Sequence, residues 1–165
     1  MRFVAVGNKN RQTFDNLFNL YLHDLSEYSI WVAERQGEDG IYLRGITDGY
    51  FDDETIVYLM YYKEHLAGFI CLSWGSKSKH KADYMLEEFF VLRPFRKTGF
   101  ARKAVREIFR KYPGKYTLNV LKENVHAHRF WRKIIVSTGA DFKFLRCDEE
   151  QDSYVFTIEK CMFED

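Results

Sequence analysis

The chain opens on a short apolar run, RFVAV, and then changes period. In NRQTFDNLFNLYLHDLSEYS, the residues Phe14, Leu17, Phe18, Tyr21, Leu22 and Leu25 recur at helical spacing, with Thr13 as a candidate cap. AERQGEDGIYLRGITDGYFDDE loses any period and is rich in Gly and Asp, which predicts a loop or a second short helix. TIVYLMYYKEHLAGFICLSWG predicts two strands around a turn at KEHLAG, and DYMLEEFFVL predicts a third. TGFARKAVREIFRKY returns to helical spacing and collects Ala101, Ala104, Val105, Ile108 and Phe109 on one side. KYTLNVL predicts a strand, NVHAHRFWRKII a helix, and DFKFLRCD with SYVFTIEK a closing hairpin. The order β-α-(α)-β-β-β-α-β-α-β-β implies a mixed sheet with helices on both faces.

Size and composition narrow this picture. The 165 residues fit one domain, 1–165, with two prolines and no repeat or low-complexity linker. The three cysteines, Cys71, Cys147 and Cys161, are scattered and complete no metal spacing with the histidines, so neither a disulfide framework nor a metal is expected. No window reads as a signal peptide or a membrane span, and the expectation is a cytoplasmic protein, a monomer or homodimer, without membrane partners. Charge is nearly balanced overall but unevenly placed. From Asp15 to Glu54, ten acids face Arg35 and Arg44; from Arg93 to Lys115, nine bases face Glu107. The basic face of RKAVREIFRKY lacks interleaved aromatics and any RNA-module signature, so nucleic acid is not an expected partner.

One stretch carries a specific chemical signal. In VLRPFRKTGFARKAVREIF, a strand runs through a basic turn containing Gly99 into a helix. Gly99 permits a backbone conformation that a side chain disfavours. Successive N–H groups there can converge on one anion, and the helix start adds partial positive charge worth about 0.3–1 kcal/mol per contact. The stretch is neither a Walker loop nor the dinucleotide GxGxxG.

EEFFVLRPFRKTGFARKAV followed by LNVLKENVHAHRFWRKI resembles the GNAT superfamily of acyl-CoA-dependent N-acetyltransferases. Its signature R/Q-x-x-G-x-G/A is met by Arg96, Gly99 and Ala101, and its N-x-x-A-x-x-hydrophobic-aromatic signature by Asn124, Ala127, Phe130 and Trp131. The resemblance implies a mostly antiparallel α/β (α+β) sheet in which Tyr84–Leu92 and Lys115–Leu121 run parallel and splay apart. It implies acetyl-CoA as cosubstrate, with pantetheine in the split against the backbone of Phe89, Phe90 and Val91. The pyrophosphate would rest on Arg96, Lys97, Thr98, Gly99, Phe100, Ala101 and Arg102, and Asn124, Ala127 and Trp131 would border the arm.

The acceptor chemistry follows from that resemblance. An alkyl amine with a pKa near ~10.4 is mostly charged at neutral pH, and supplying its free base costs roughly 4–5 kcal/mol, which a carboxylate can relieve. Glu87 and Glu88 sit on the strand that ends at the cofactor, and strand alternation sends their side chains to opposite faces. EEFFV looks like the segment of diamine acetyltransferases, which gives Glu87 the acceptor side and leaves Glu88 to a basic or hydroxyl partner in the other layer. Many relatives carry a Tyr acid where this chain has Trp131; Tyr84 and Tyr116 are alternatives. The acidic run Asp15–Glu54 would form an acceptor wall for a small cationic amine, with Tyr28, Tyr50 and Phe51 on its methylenes. The competing expectation is a CoA-binding sensor without turnover.

Overall fold

The computed structural model describes residues 1–43, 45–77 and 79–163, with backbone only at 76 and 79. Its elements are β1 (Arg2–Ala5), α1 (Arg11–Leu25), α2 (Ile30–Ala33), β2 (Thr55–Tyr62), β3 (His65–Trp74), β4 (Tyr84–Val91), α3 (Phe100–Lys111), β5 (Gly114–Leu121), α4 (Val125–Ser137), β6 (Phe142–Arg146) and β7 (Gln151–Ile158). One seven-stranded sheet has the order β1-β2-β3-β4-β5-β7-β6. All neighbours are antiparallel except β4 and β5.

Alternation along the strands builds two apolar layers. Val57, Leu59, Phe69 and Cys71 face α1 and α2, where Phe14, Leu17, Phe18, Leu22 and Val32 are buried against them. Tyr58, Met60, Ile70 and Leu72 face the opposite layer, closed by Phe100, Ala104, Val105, Ile108 and Phe109 of α3 and by Trp131, Ile134 and Ile135 of α4. The helical spacing in the sequence therefore marks the buried faces correctly. Phe14 is fully buried among Phe18, Phe69, Tyr50 and Phe51, and removing such a ring costs about 3–5 kcal/mol.

Two boundaries differ from the sequence expectation. Thr13 lies inside α1 and Asn10 stands at the cap. The Asn10 side chain ties the preceding turn, accepting from Gly7 N–H (2.7 Å) and donating to the Ala5 carbonyl (3.2 Å). The β2–β3 turn is only Lys63–Glu64, and His65–Gly68 belongs to β3. Gly68 is needed within the strand because a Cβ there would meet the Phe90 carbonyl oxygen at 2.0 Å. That close approach presses β3 against the end of β4 at Val91, beyond the rungs that β4 shares with β5.

The central feature is the junction between β4 and β5. Their parallel pairing has three rungs, Tyr84↔Tyr116, Met85↔Thr117 and Leu86↔Leu118. Beyond Leu86, β4 stays paired to β3, and beyond Leu118, β5 stays paired to β7. The two strands therefore diverge, and their facing edges from Glu87 and Asn119 onward border a cleft.

Candidate active site

A cavity of about 290 Å³ occupies this divergence. Phe89 of β4, Leu118–Leu121 of β5, and Asn124, Ala127 and Trp131 of α4 line one side. Phe18, Tyr21 and Leu22 of α1, Trp31 and Val32 of α2, and Leu43, Ile46 and Tyr50 of the connecting loop line the other. Glu87 and Glu88 lie between them.

The two glutamates do not face opposite layers, which corrects the expectation from strand alternation. Cys71 pairs with Glu88 and Leu72 with Leu86, so Glu87 is the extra residue of a β-bulge. Glu88 accepts from the Tyr21 hydroxyl at Oε2 and from the Tyr50 hydroxyl at Oε1 (2.7 Å), both on the α1 side. Glu87 accepts from Ser73 Oγ at 2.6 Å. Ser73 alternates in phase with Phe69 and Cys71, so Glu87 too is turned to the α1 side. The hydroxyl partners expected for Glu88 are present, in the same layer as Glu87. Burial pushes the Glu88 carboxyl up to about 7, against the pull of the two phenols, and the Glu87 charge adds to the rise. Burial and Glu88 hold both phenols above the usual range, so they remain donors.

The basic turn has the backbone of an anion cradle. Lys97 and Gly99 have positive φ, 63° and 85°. Gly99 is the N-cap of α3, and the first helical bond runs from Lys103 N–H to the Gly99 carbonyl (3.2 Å). The N–H groups of Phe100, Ala101 and Arg102 precede that bond. Thr98 Oγ1 donates to the Phe95 carbonyl (2.7 Å) and accepts from Phe100 N–H (3.3 Å), which fixes the turn. A Cβ on Gly99 would meet nothing within 4 Å, so open space lies over the turn. Arg96 has a different part. Its guanidinium donates to the Val91 carbonyl (2.6 Å) and to Asp24 (2.5 Å), bracing the turn against α1. Lys97 and Arg102 are exposed at the turn.

Asn124 caps α4 by accepting from Ala127 N–H at 2.9 Å, and both line the cavity. Phe90 points into the α1 layer and Phe89 into the other, where it packs on Phe130 and Trp131. Tyr84 and Tyr116 pack together, tilted, at the paired end of β4 and β5, and the Tyr116 hydroxyl donates to the Tyr112 carbonyl (2.5 Å). Neither lines the cavity. Tyr28 lies beside Glu27 outside the cavity lining, whereas Tyr50 is in it. Phe51 packs on Phe14 under the Arg11 guanidinium.

The acidic run does not form the acceptor wall. None of its ten carboxylates lines the cavity. Asp15 and Asp48 pair with Arg11, Asp24 with Arg93 and Arg96, and Asp52 with Lys77. Arg44, counted with that run, lies outside the described residues. Sequence reasoning missed Tyr21 as a carboxylate partner because its helical spacing marks it only as a core position. Among the described residues, no group of three or more His, Cys, Asp and Glu could hold a metal ion, and no helix is long and apolar enough to cross a membrane.

Comparison with known proteins agrees with this architecture. The chain is similar to an acetyltransferase from Thermus thermophilus at 14% identity and a TM-score of 0.64, covering 94% of each chain. It is similar to an N-acetyltransferase from Staphylococcus aureus at 13% identity and a TM-score of 0.64, covering 95% of this chain and 100% of that one. A CoA-dependent acyl-homoserine lactone synthase, BjaI, aligns at 13% identity and a TM-score of 0.56, over 97% of this chain and 84% of the synthase. A search of curated protein sequences found no match. At these identities the structural likenesses establish the fold. The Acetyltransferase (GNAT) family model matches residues 9–135, well over half of the sequence, and with the splayed β4–β5 junction and the glycine turn already in place, the chain belongs to the GNAT family of acetyltransferases.

Proposed function

We propose that this protein is an acetyl-CoA-dependent N-acetyltransferase acting on a primary amine by direct attack in a ternary complex. The observation that carries the reading is the pair of carboxylates, Glu87 and Glu88, delivered by one bulge to the point where β4 leaves β5. Acetyl-CoA, when bound, supplies the activated acyl group. The turn Lys97–Arg102 would hold its pyrophosphate, and the β4 edge, Asn124 and Ala127 would border its pantetheine arm.

In this reading Glu87 is the group that meets the acceptor. Ser73 engages its Oε1, whereas both oxygens of Glu88 already accept from phenols. Glu87 would accept hydrogen bonds from the ammonium and take its proton. The neutral nitrogen then forms the N–C bond as the C–S bond breaks, and the second proton that the nitrogen sheds passes through water to the departing thiolate. Glu88 sets the charge at the site: ionised above about pH 7, it favours a cation beside Glu87. Holding both reactants in one cleft supplies much of the rate.

Trp131 supports a second reading, a CoA-binding sensor. It is buried against Phe89 and Phe130, and indole N–H is no practical acid for the thiolate. One experiment separates the two: thiol release from acetyl-CoA across an amine panel, beside calorimetry with CoA. Transfer is expected in the wild type, and Glu87→Gln should lower turnover by roughly 10²–10⁴ at neutral pH, the range for a lost general base. The loss should shrink as pH approaches the amine's own pKa. CoA binding without release on any amine would establish the sensor.

A further inference from the structure

The lining of the acceptor side identifies the class of amine. Resting on the transfer reading above, we infer that the acceptor is a singly charged primary amine with an apolar or aromatic body, and not a polyamine. The floor of the cavity carries Glu87 and Glu88, and no Lys, Arg or His is among the described residues lining it. This fits one ammonium head. Away from that floor Phe18, Leu22, Leu25, Trp31 and Val32 of the α1–α2 side and Ile46 of the loop present apolar side chains, while the hydroxyls beside them are engaged, Tyr21 and Tyr50 by Glu88 and Ser29 by Val32 N–H. Trp31 is 45% exposed and Ile46 36% exposed. Both lie at the cavity, so an apolar body can reach them without opening the core.

Charge placement argues the same way. The remaining carboxylate at the cavity, Glu150, lies with Gln151 at the β5–β7 end, on the side bordered by Leu121 and Asn124. Of the acidic run that would suit a polyamine, Asp15, Asp24, Asp48 and Asp52 are held in ion pairs, and none of its ten carboxylates lines the cavity. A second ammonium directed along the α1–α2 wall would meet no carboxylate among the lining residues there, so nothing offsets the water it gives up. A phenyl ring or alkyl chain there gains instead from burial.

The test measures kcat/KM with acetyl-CoA for phenethylamine, hexylamine, ethanolamine and spermidine. Phenethylamine and hexylamine are expected to exceed ethanolamine and spermidine by tenfold or more, since a single methylene in an apolar pocket is worth on the order of tenfold. Trp31→Ala should reduce the preference for phenethylamine. Ile46→Glu should lower kcat/KM for phenethylamine and raise it for spermidine, with unchanged circular dichroism and CoA affinity. Both positions are partly exposed, so neither variant should prevent folding. Spermidine or ethanolamine preferred by the wild type, or a phenethylamine preference untouched by either variant, would overturn the inference while leaving amine transfer intact. No transfer to any of the four amines with CoA still bound would overturn the transfer reading itself, and the inference with it.

Discussion

Glu88 shows how much of this site is decided by a single residue's surroundings. Its carboxyl is raised from 4.5 to about 7, first by burial and then by the Glu87 charge, with Tyr21 and Tyr50 opposing. Between about pH 4.5 and 7 the folded protein keeps a proton that the unfolded chain has released. Stability therefore falls as pH rises through that window, and the full cost, on the order of 3 kcal/mol, stands above pH 7. Glu88→Gln removes the titration. Its melting temperature should exceed that of the wild type at pH 8 and match it near pH 4.5. At this chain length about 2–4 °C corresponds to each kcal/mol. Equal melting at both pH values would show that ionised Glu88 carries no such cost. The sequence displayed both glutamates and their place before the glycine turn. It could not display their common direction, because the extra residue in β4 depends on how Cys71 and Leu72 register across the strand pair, which no local pattern encodes.

At the scale of elements, legibility followed period. The buried stripes of α1, α3 and α4 and the strands of the meander were readable because their spacing matches the faces that pack. The KEHLAG turn was read too long because Gly68 looks like turn chemistry, while its actual task is to let β3 pass under the Phe90 carbonyl. The acidic run was readable as composition and misleading as an acceptor wall, since its partners Arg11, Lys77, Arg93 and Arg96 lie far away in sequence. The turn before α3 was legible from one glycine among bases. Gly99→Val isolates it: no atom lies within 4 Å of the added Cβ, so the fold meets only the strain of φ +85°, about 1–2 kcal/mol. We expect a folded protein with a slightly lower melting temperature and no measurable CoA binding by calorimetry, because the added atoms occupy the space over the cradle. Unchanged affinity would remove the pyrophosphate from this turn.

In the whole molecule, the site exists because two antiparallel blocks meet imperfectly. One block is the meander β1–β4 with α1 and α2; the other is β5, β7 and β6 with α4. In the sheet the blocks meet through the three rungs between Tyr84–Leu86 and Tyr116–Leu118, whereas β1–β2 and β5–β7, which span comparable or longer stretches of chain, pair over four and eight residues. With three rungs to offset its loop closure, this seam is expected to form late in folding. A ligand lying between the blocks touches surfaces that are not yet together in the transition state. Interactions absent from the transition state slow unfolding and leave folding alone. In stopped-flow denaturant experiments, saturating CoA should therefore lower the unfolding rate constant by about the factor 1 + [CoA]/Kd, with the refolding arm unmoved. Acceleration of refolding by CoA would mean instead that the blocks dock before they are complete. A cosubstrate bound across the three-rung junction would thus act as a clamp on the native state, protecting a loaded protein from unfolding without helping an empty one to fold.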